Sequence, residues 1–426
     1  MSGSDTLPAP ALAALRAWRG RLGRTESLDE PVVVAWAPGR INLIGEHTDY
    51  NEGWALPAAV DRVVAVAGKL SHHPSRTPYA TLYSTHHDRV ARFASSISAL
   101  LAERRERLPM WTRYVRATLS ELVEAGHWQG QRGFEAAIAG DAPVGGGLSS
   151  SAALEVACAT FALALRQETM DPLDVARLCQ RAEWRGVGAR VGIMDQAASC
   201  LGKAGHAILL DCRSLEYTYV PVDLPDMRLI IFDTGVSRSL AGSHYNARRE
   251  QCEEAVSQLA GIITEREPGR KVTALRDVTG DDLERYGEYL PGLLRKRARH
   301  VVNENARVLA AVEALRAGDV ERLGALINQS HESLRDLYQV SCPELDAVVE
   351  IARTVPGVFG TRMIGAGFGG SALALAHADT ADELVETLER EYPRRTGRQG
   401  RAIQLRIGGG AQWRSVLLDN AGNPAL

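Results

Sequence analysis

The sequence predicts an α+β fold. Three observations carry that reading. Strand-like and helical runs follow one another without a regular βαβ alternation. From near Ser239 to about Thr354 the pattern is mostly helical. Beyond that stretch, strand character returns at residues 362–364, 372–375 and 403–407, so the chain comes back to a sheet after the helices.

In chain order, residues 11–22 place Arg16, Arg19 and Arg21 among apolar positions. This predicts an amphipathic opening helix and not a signal peptide, whose apolar stretch would be unbroken. Valine-rich residues 32–36 read as a strand entering a turn at Ala37-Pro38-Gly39. A second strand is expected at 60–66, a hairpin at 79–83 and 90–93, and a helix at 111–125. A strand at 133–139 leads through the loop 141–147 into a long helix, 148–166, rich in Ala and Leu. Asp171-Pro172 opens the next helix, with Asp as cap and Pro in the first turn. Strands follow at 207–210, 217–220 and 229–232. Residues 301–315 and 322–337 repeat apolar positions at helical spacing, and 381–392 form a last helix. The expected division is an N-terminal helical extension (1–30), an N-terminal lobe (31–215) and a C-terminal lobe (216–426).

At about 150 residues per domain, 426 residues suggest two to three domains, or two large ones sharing a cleft. Forty-nine Lys and Arg against 52 Asp and Glu leave a net charge of -3. This argues against a nucleic-acid partner held by general attraction, although a small anion needs only a local site. No run of about 18 apolar residues is present, so no membrane partner is expected. The six cysteines are scattered without a C-x-x-C pair, which points to free thiols in a reducing, cytoplasmic setting and not to zinc.

Three segments carry chemistry. The first is Gly39-Arg40-Ile41-Asn42-Leu43-Ile44-Gly45-Glu46-His47-Thr48-Asp49-Tyr50-Asn51. It mixes donors and acceptors within a few residues, which suits a polyhydroxyl ligand, although Glu46-x-x-Asp49 also fits ordinary turn capping. The second is Gly145-Gly146-Gly147-Leu148-Ser149-Ser150-Ser151, a glycine run entering a helix. Unpaired N–H groups and the helix dipole make such a junction an anion site, unless the serines simply cap it. The third, Gly365-Ala366-Gly367-Phe368-Gly369-Gly370, matches a dinucleotide fingerprint by letter. It leads into a strand-like run, so a tight crossing between strands fits better. Between the last two, Gly192-Ile193-Met194-Asp195-Gln196 sets an acid among apolar neighbours. That acid needs a partner or a task. Arg40 is available as partner, and a helix cap is the plainer alternative.

Together these segments resemble the galactokinase family, within the GHMP superfamily of small-molecule kinases, from about residue 30 to the C-terminus. The resemblance implies two α+β lobes with the active site between them and a left-handed βαβ unit in the first lobe. It implies ATP-dependent phosphorylation of D-galactose at its anomeric hydroxyl, the entry step of the Leloir pathway, by a monomer using ATP and magnesium. By the same resemblance Asp195 is the catalytic base and Arg40 its neighbouring cation. Glu46, His47, Asp49, Gly192 and Tyr245 contact the sugar. Gly145, Gly146, Gly147, Leu148, Ser149, Ser150 and Ser151 surround the phosphates, with Trp111 and Tyr114 at the adenine. Ser150 and Glu183 hold magnesium. Ser371 departs from the Cys common in the family, a change expected to be neutral. Trp54, Ala55 and the Asp233-Thr234-Gly235 stretch also differ, which leaves sugar tolerance open. A kinase for a related sugar, such as N-acetylgalactosamine or arabinose, and a non-catalytic galactose and ATP sensor are the competing readings.

Overall fold

The computed structural model describes residues 6–23, 30–71, 78–102, 108–143, 145–236, 241–419 and 423–424. Ser239, where the pattern was expected to change, and parts of the 1–30 segment lie outside the described residues. The strands are β1 (Val32–Asn42), β2 (Trp54–Ala55), β3 (Pro57–Leu70), β4 (Tyr79–Ser84), β5 (Arg89–Ala94), β6 (Phe134–Gly140), β7 (His206–Asp211), β8 (Tyr217–Pro221), β9 (Met227–Asp233), β10 (Val358–Met363), β11 (Ser371–His377), β12 (Arg401–Leu405) and β13 (Gln412–Val416). They build a six-stranded sheet in the order β13-β1-β3-β6-β4-β5, a four-stranded sheet β10-β11-β9-β12 and a small sheet β2-β7-β8. The β4–β6 pairing is parallel, and the other strand pairings are antiparallel.

Strand β1 is buried along its whole length because the large sheet is covered on both faces. Val33, Ala35 and Ala37 pack with residues of helices Met110–Glu124, Ser150–Leu165 and Pro172–Val187. Val32, Val34 and Trp36 pack instead with Ala11, Ala14, Leu15 and Trp18 of helix Ala9–Arg21. That helix has the amphipathic spacing expected of it, but it is part of the sheet's covering layer and not a separate extension. The four-stranded sheet likewise alternates. Ala372, Ala374 and Ala376 face the C-terminal helices, while Leu373 and Leu375 join a core shared with Ile41, Leu43, Leu148, Val308 and Ile364. This shared core fastens the two sheets together beneath the site.

Four expectations need correction. β1 does not end at Ala37-Pro38-Gly39. It continues to Asn42 through a register shift between Pro38 and Arg40, a bulge that accommodates proline within a paired strand. The helix expected from residue 148 starts at Ser150, leaving Leu148 and Ser149 in the loop. A lobe boundary at 215/216 would cut the β7–β8 hairpin at its turn, and the chain changes sheet only beyond Pro221. Strand β13, whose pattern is weak, returns to pair with β1 in the N-terminal sheet. The hairpin 79–94, the Asp171 cap on Leu173 N and the strand following the third glycine run appear as expected.

Candidate active site

A cavity of about 450 Å³ opens where the two sheets meet. Arg40 reaches it from the end of β1, just past the bulge. Asp195 reaches it from the first turn of helix Met194–Leu201, where unpaired N–H groups favour a carboxylate. The two side chains form a bidentate pair: Arg40 Nε donates to Asp195 Oδ1 at 2.8 Å and Nη2 to Oδ2 at 2.9 Å. Arg40 Nη1 donates to the Gly147 carbonyl at 2.6 Å, and its backbone N–H to the Leu148 carbonyl at 3.0 Å. The guanidinium is therefore spanned between acid and glycine loop. Asp195 keeps a quarter of its side chain open to the cavity while Arg40 is buried.

Ser149 adopts a left-handed backbone, φ 51°, and its hydroxyl donates to Asp195 Oδ2. It makes no side-chain bond to the helix that follows, so the plainer reading, a serine-capped glycine turn, does not apply at this residue. The start of helix Ser150–Leu165 keeps its own donors free for a ligand. Glu183 also lines the cavity. Gln196 Nε2 donates to it at 2.8 Å and to the buried Glu155 at 3.2 Å. Burial and the neighbouring Asp195 charge raise the Glu183 carboxyl to about 8. Among the described residues no group of three or more His, Cys, Asp or Glu is arranged to hold a metal ion.

The opposite wall comes from residues 46–50, the loop before Asp195 and helix Ala241–Arg266. Glu46 is clamped by three donors: Asn42 Nδ2 at 3.0 Å, Gly365 N at 2.8 Å and Arg362 Nη2 at 3.2 Å. Among the described residues Asp49 has no cationic partner of this kind, and it accepts from the Tyr50 N–H at 3.0 Å. Burial, then the charge of Asp195, raises its carboxyl to about 7. Gly192 is glycine for a steric reason, since a Cβ there would stand 1.9 Å from Asp49 Oδ2. The Gly192 N–H points to Tyr245 Oη at 3.4 Å. His47 is buried, with Nδ1 2.8 Å from Tyr50 Oη and, among the described residues, no hydrogen-bond partner at Nε2. Burial first, then His300 and Arg248, keep its imidazole neutral.

The third glycine run lies between the antiparallel strands β10 and β11, so it is not a dinucleotide fingerprint. Gly365, Gly367, Phe368, Gly369 and Gly370 all have positive φ, which is why the segment is glycine-rich. It serves as a brace: the Gly365 N–H holds Glu46, and Ser371 Oγ donates to the Gly146 carbonyl. Ser371 is thus tied to the phosphate-loop candidate.

Of the residues singled out, Arg40, Glu46, His47, Asp49, Tyr114, Gly145, Gly147, Ser149, Ser150, Ser151, Glu183, Gly192, Asp195 and Tyr245 line the one cavity. Three stand behind it. Gly146 offers its carbonyl to Ser371, Leu148 is wholly buried in the shared core, and Trp111 stacks on His87, with ring centroids 6.1 Å apart. Sequence reasoning missed Ser84, His86 and His87, at the tip of the hairpin it did foresee, and also Arg362. For the tip, two adjacent histidines in a turn are the available signal. For Arg362 there is none beyond an arginine within an apolar strand.

Comparison with known proteins gives a consistent picture. Residues 25–70 match the galactokinase galactose-binding signature, 113–203 the GHMP kinase N-terminal domain and 311–394 the GHMP kinase C-terminal domain. A galactokinase of Chloroflexus aurantiacus is 43% identical over 381 residues, covering 89% of this chain and 93% of that one. A human galactokinase is 39% identical over 388 residues, with 91% and 94% covered. The solved structure of Lactococcus lactis galactokinase complexed with galactose is similar at a TM-score of 0.84 and 33% identity, covering 93% of this chain and 98% of that one. A Methanococcus jannaschii mevalonate kinase, 16% identical with a TM-score of 0.61, shares the fold.

Proposed function

The chain belongs to the galactokinase family of GHMP kinases, and we propose on that premise that its cavity moves the γ-phosphoryl group of ATP to the anomeric hydroxyl of D-galactose. Asp195 accepts the hydroxyl proton as the sugar oxygen bonds to phosphorus and the bond to the ADP oxygen breaks. Arg40 holds the carboxylate in place and sets positive charge beside the transferred group. Gly145, Gly147, Ser150, Ser151 and the open helix start cradle the phosphates, and Tyr114 bounds the adenine. Glu46, His47, Asp49 and Tyr245 offer acceptors and donors to the sugar hydroxyls, with Gly192 leaving room for Asp49.

Magnesium fits the residues present. Ser150 and Glu183 line the same cavity, and the raised Glu183 carboxyl is one that a neighbouring cation would return to its ionised form. A site with one carboxylate and one hydroxyl, and no all-protein cage, suits an ion that shares its ligands with phosphates. When bound, magnesium supplies charge neutralisation at the phosphate oxygens.

The observation that carries the reading is the bidentate Arg40–Asp195 pair in a cavity that also contains the glycine–serine loop. A coupled ADP-release assay tests it. Turnover of Asp195→Asn should fall about 1000-fold, with the galactose KM changed only a few-fold. Near-normal turnover would refute the base assignment. Galactose should be used faster than N-acetylgalactosamine or arabinose, and galactose-dependent ADP release rules out a pure sensor.

A further inference from the structure

Behind His47 a line of hydrogen bonds runs away from the cavity. His47 Nδ1 lies 2.8 Å from Tyr50 Oη, Tyr50 Oη lies 2.7 Å from Tyr338 Oη, and Tyr338 Oη lies 3.1 Å from Cys252 Sγ. The members come from three distant parts of the chain: the 47–50 segment, helix Ala241–Arg266 and the turn Leu334–Tyr338. Tyr338 and Cys252 are essentially inaccessible to water, so solvent does not complete the line from their end. The rings pack on one another, with His47 and Tyr338 centroids 4.8 Å apart. His47 itself has a left-handed backbone, φ 63°, an unusual conformation for histidine that the fold maintains here.

Such a line has two possible directions. In one, the imidazole donates from Nδ1 and the last phenol must give its proton to sulfur, a weak acceptor. In the other, the thiol donates to Tyr338, Tyr338 to Tyr50 and Tyr50 to Nδ1, ending on the strongest acceptor in the set. We infer that Tyr338 and Tyr50, with Cys252 at the end, are positioning residues that fix His47 as the Nε2–H tautomer. His47 thereby presents a hydrogen-bond donor, and not an acceptor, to one galactose hydroxyl oxygen. Burial keeps the ring neutral, so one tautomer must be chosen. The role toward sugar rests on the reading that His47 contacts galactose, whereas the tautomer does not.

The two parts separate experimentally. Nitrogen-15 NMR of histidine-labelled protein without sugar, with His47→Gln identifying the resonance, should show Nε2 protonated and Nδ1 bare. The reverse pattern overturns the inference. In Tyr50→Phe, which removes the donor to Nδ1, the pattern should shift toward the other tautomer or a mixture, and an unchanged pattern also overturns it. Tyr338→Phe should raise the galactose KM about tenfold and leave kcat within about threefold, the size expected for loss of one oriented hydrogen bond. Cys252→Ser, which keeps a donor, should stay near the parent. An Nε2–H signal combined with unchanged galactose KM in His47→Gln would leave the tautomer standing and remove His47 from the sugar site. Melting curves of each variant separate these effects from loss of fold.

Discussion

The two ends of the cavity hold their acids in opposite ways. At the end proposed for phosphoryl transfer, Asp195 is gripped by two nitrogens of Arg40 and by the Ser149 hydroxyl. At the end proposed for the sugar, Asp49 stands largely out of water and accepts from the Tyr50 N–H, and its carboxyl rises to about 7. Glu46, a few residues away, is buried more deeply yet is matched by Arg362. The contrast teaches what a cationic partner does for an acid out of water. Glu46 has Arg362, whereas Asp49 has none among the described residues. Burial first, then the Asp195 charge, push Asp49 toward the neutral acid.

Removing partners sharpens this contrast. Arg40→Met should give the largest effect, a loss in kcat of about 1000-fold, because it takes positive charge from beside the transferred group and releases Asp195. Steady-state kinetics measure it, and a loss below about tenfold would equate the two ends of the cavity. Arg362→Met should destabilise the fold by about 3 kcal/mol, since Glu46 is left as a buried charge held by two neutral donors. Urea unfolding reads this, and adding Glu46→Gln should restore part of it.

The unpaired end predicts a pH signature. The Asp49 carboxyl stays protonated to about pH 7 in the folded chain and ionises near its ordinary 3.8 when unfolded. Its contribution to stability is therefore present in full below that lower value and is lost as pH rises through 7. Asp49→Asn removes the loss, so between about pH 4 and 7 the variant should gain about 4 kcal/mol on the parent, the shift of about three pH units at about 1.4 kcal/mol each. Denaturation across that range checks it, and a constant difference would mean that Asp49 is ionised throughout. The smallest effect is expected at the brace. Ser371→Ala deletes the bond to the Gly146 carbonyl and should raise the ATP KM about threefold with kcat nearly unchanged.

Much of this arrangement is legible in the sequence where local rules decide. An acid among apolar neighbours demands a partner, which leads from Asp195 to Arg40. A glycine run before an alanine-rich helix marks the loop, and the period-two alternation of 371–377 marks a strand. What stays hidden depends on long-range pairing. Arg362 meets Glu46 across 316 positions, and nothing near either residue signals the other. Strand β13 exposes most of its short length and exists because β1 offers an edge. The Pro38 bulge reads as a turn because a sheet neighbour able to tolerate proline cannot be inferred from three residues. Ser149 looks like a cap by its position, and only the fold brings Asp195 within reach of its hydroxyl.

The most direct measurement is a crystal structure with galactose and a non-hydrolysable ATP analogue bound. The anomeric oxygen should lie within about 3 Å of an Asp195 carboxylate oxygen, with the γ-phosphate on the far side of that oxygen and beside Arg40. A sugar bound with its anomeric carbon turned away from Asp195, or a nucleotide seated away from the glycine–serine loop, would contradict the account.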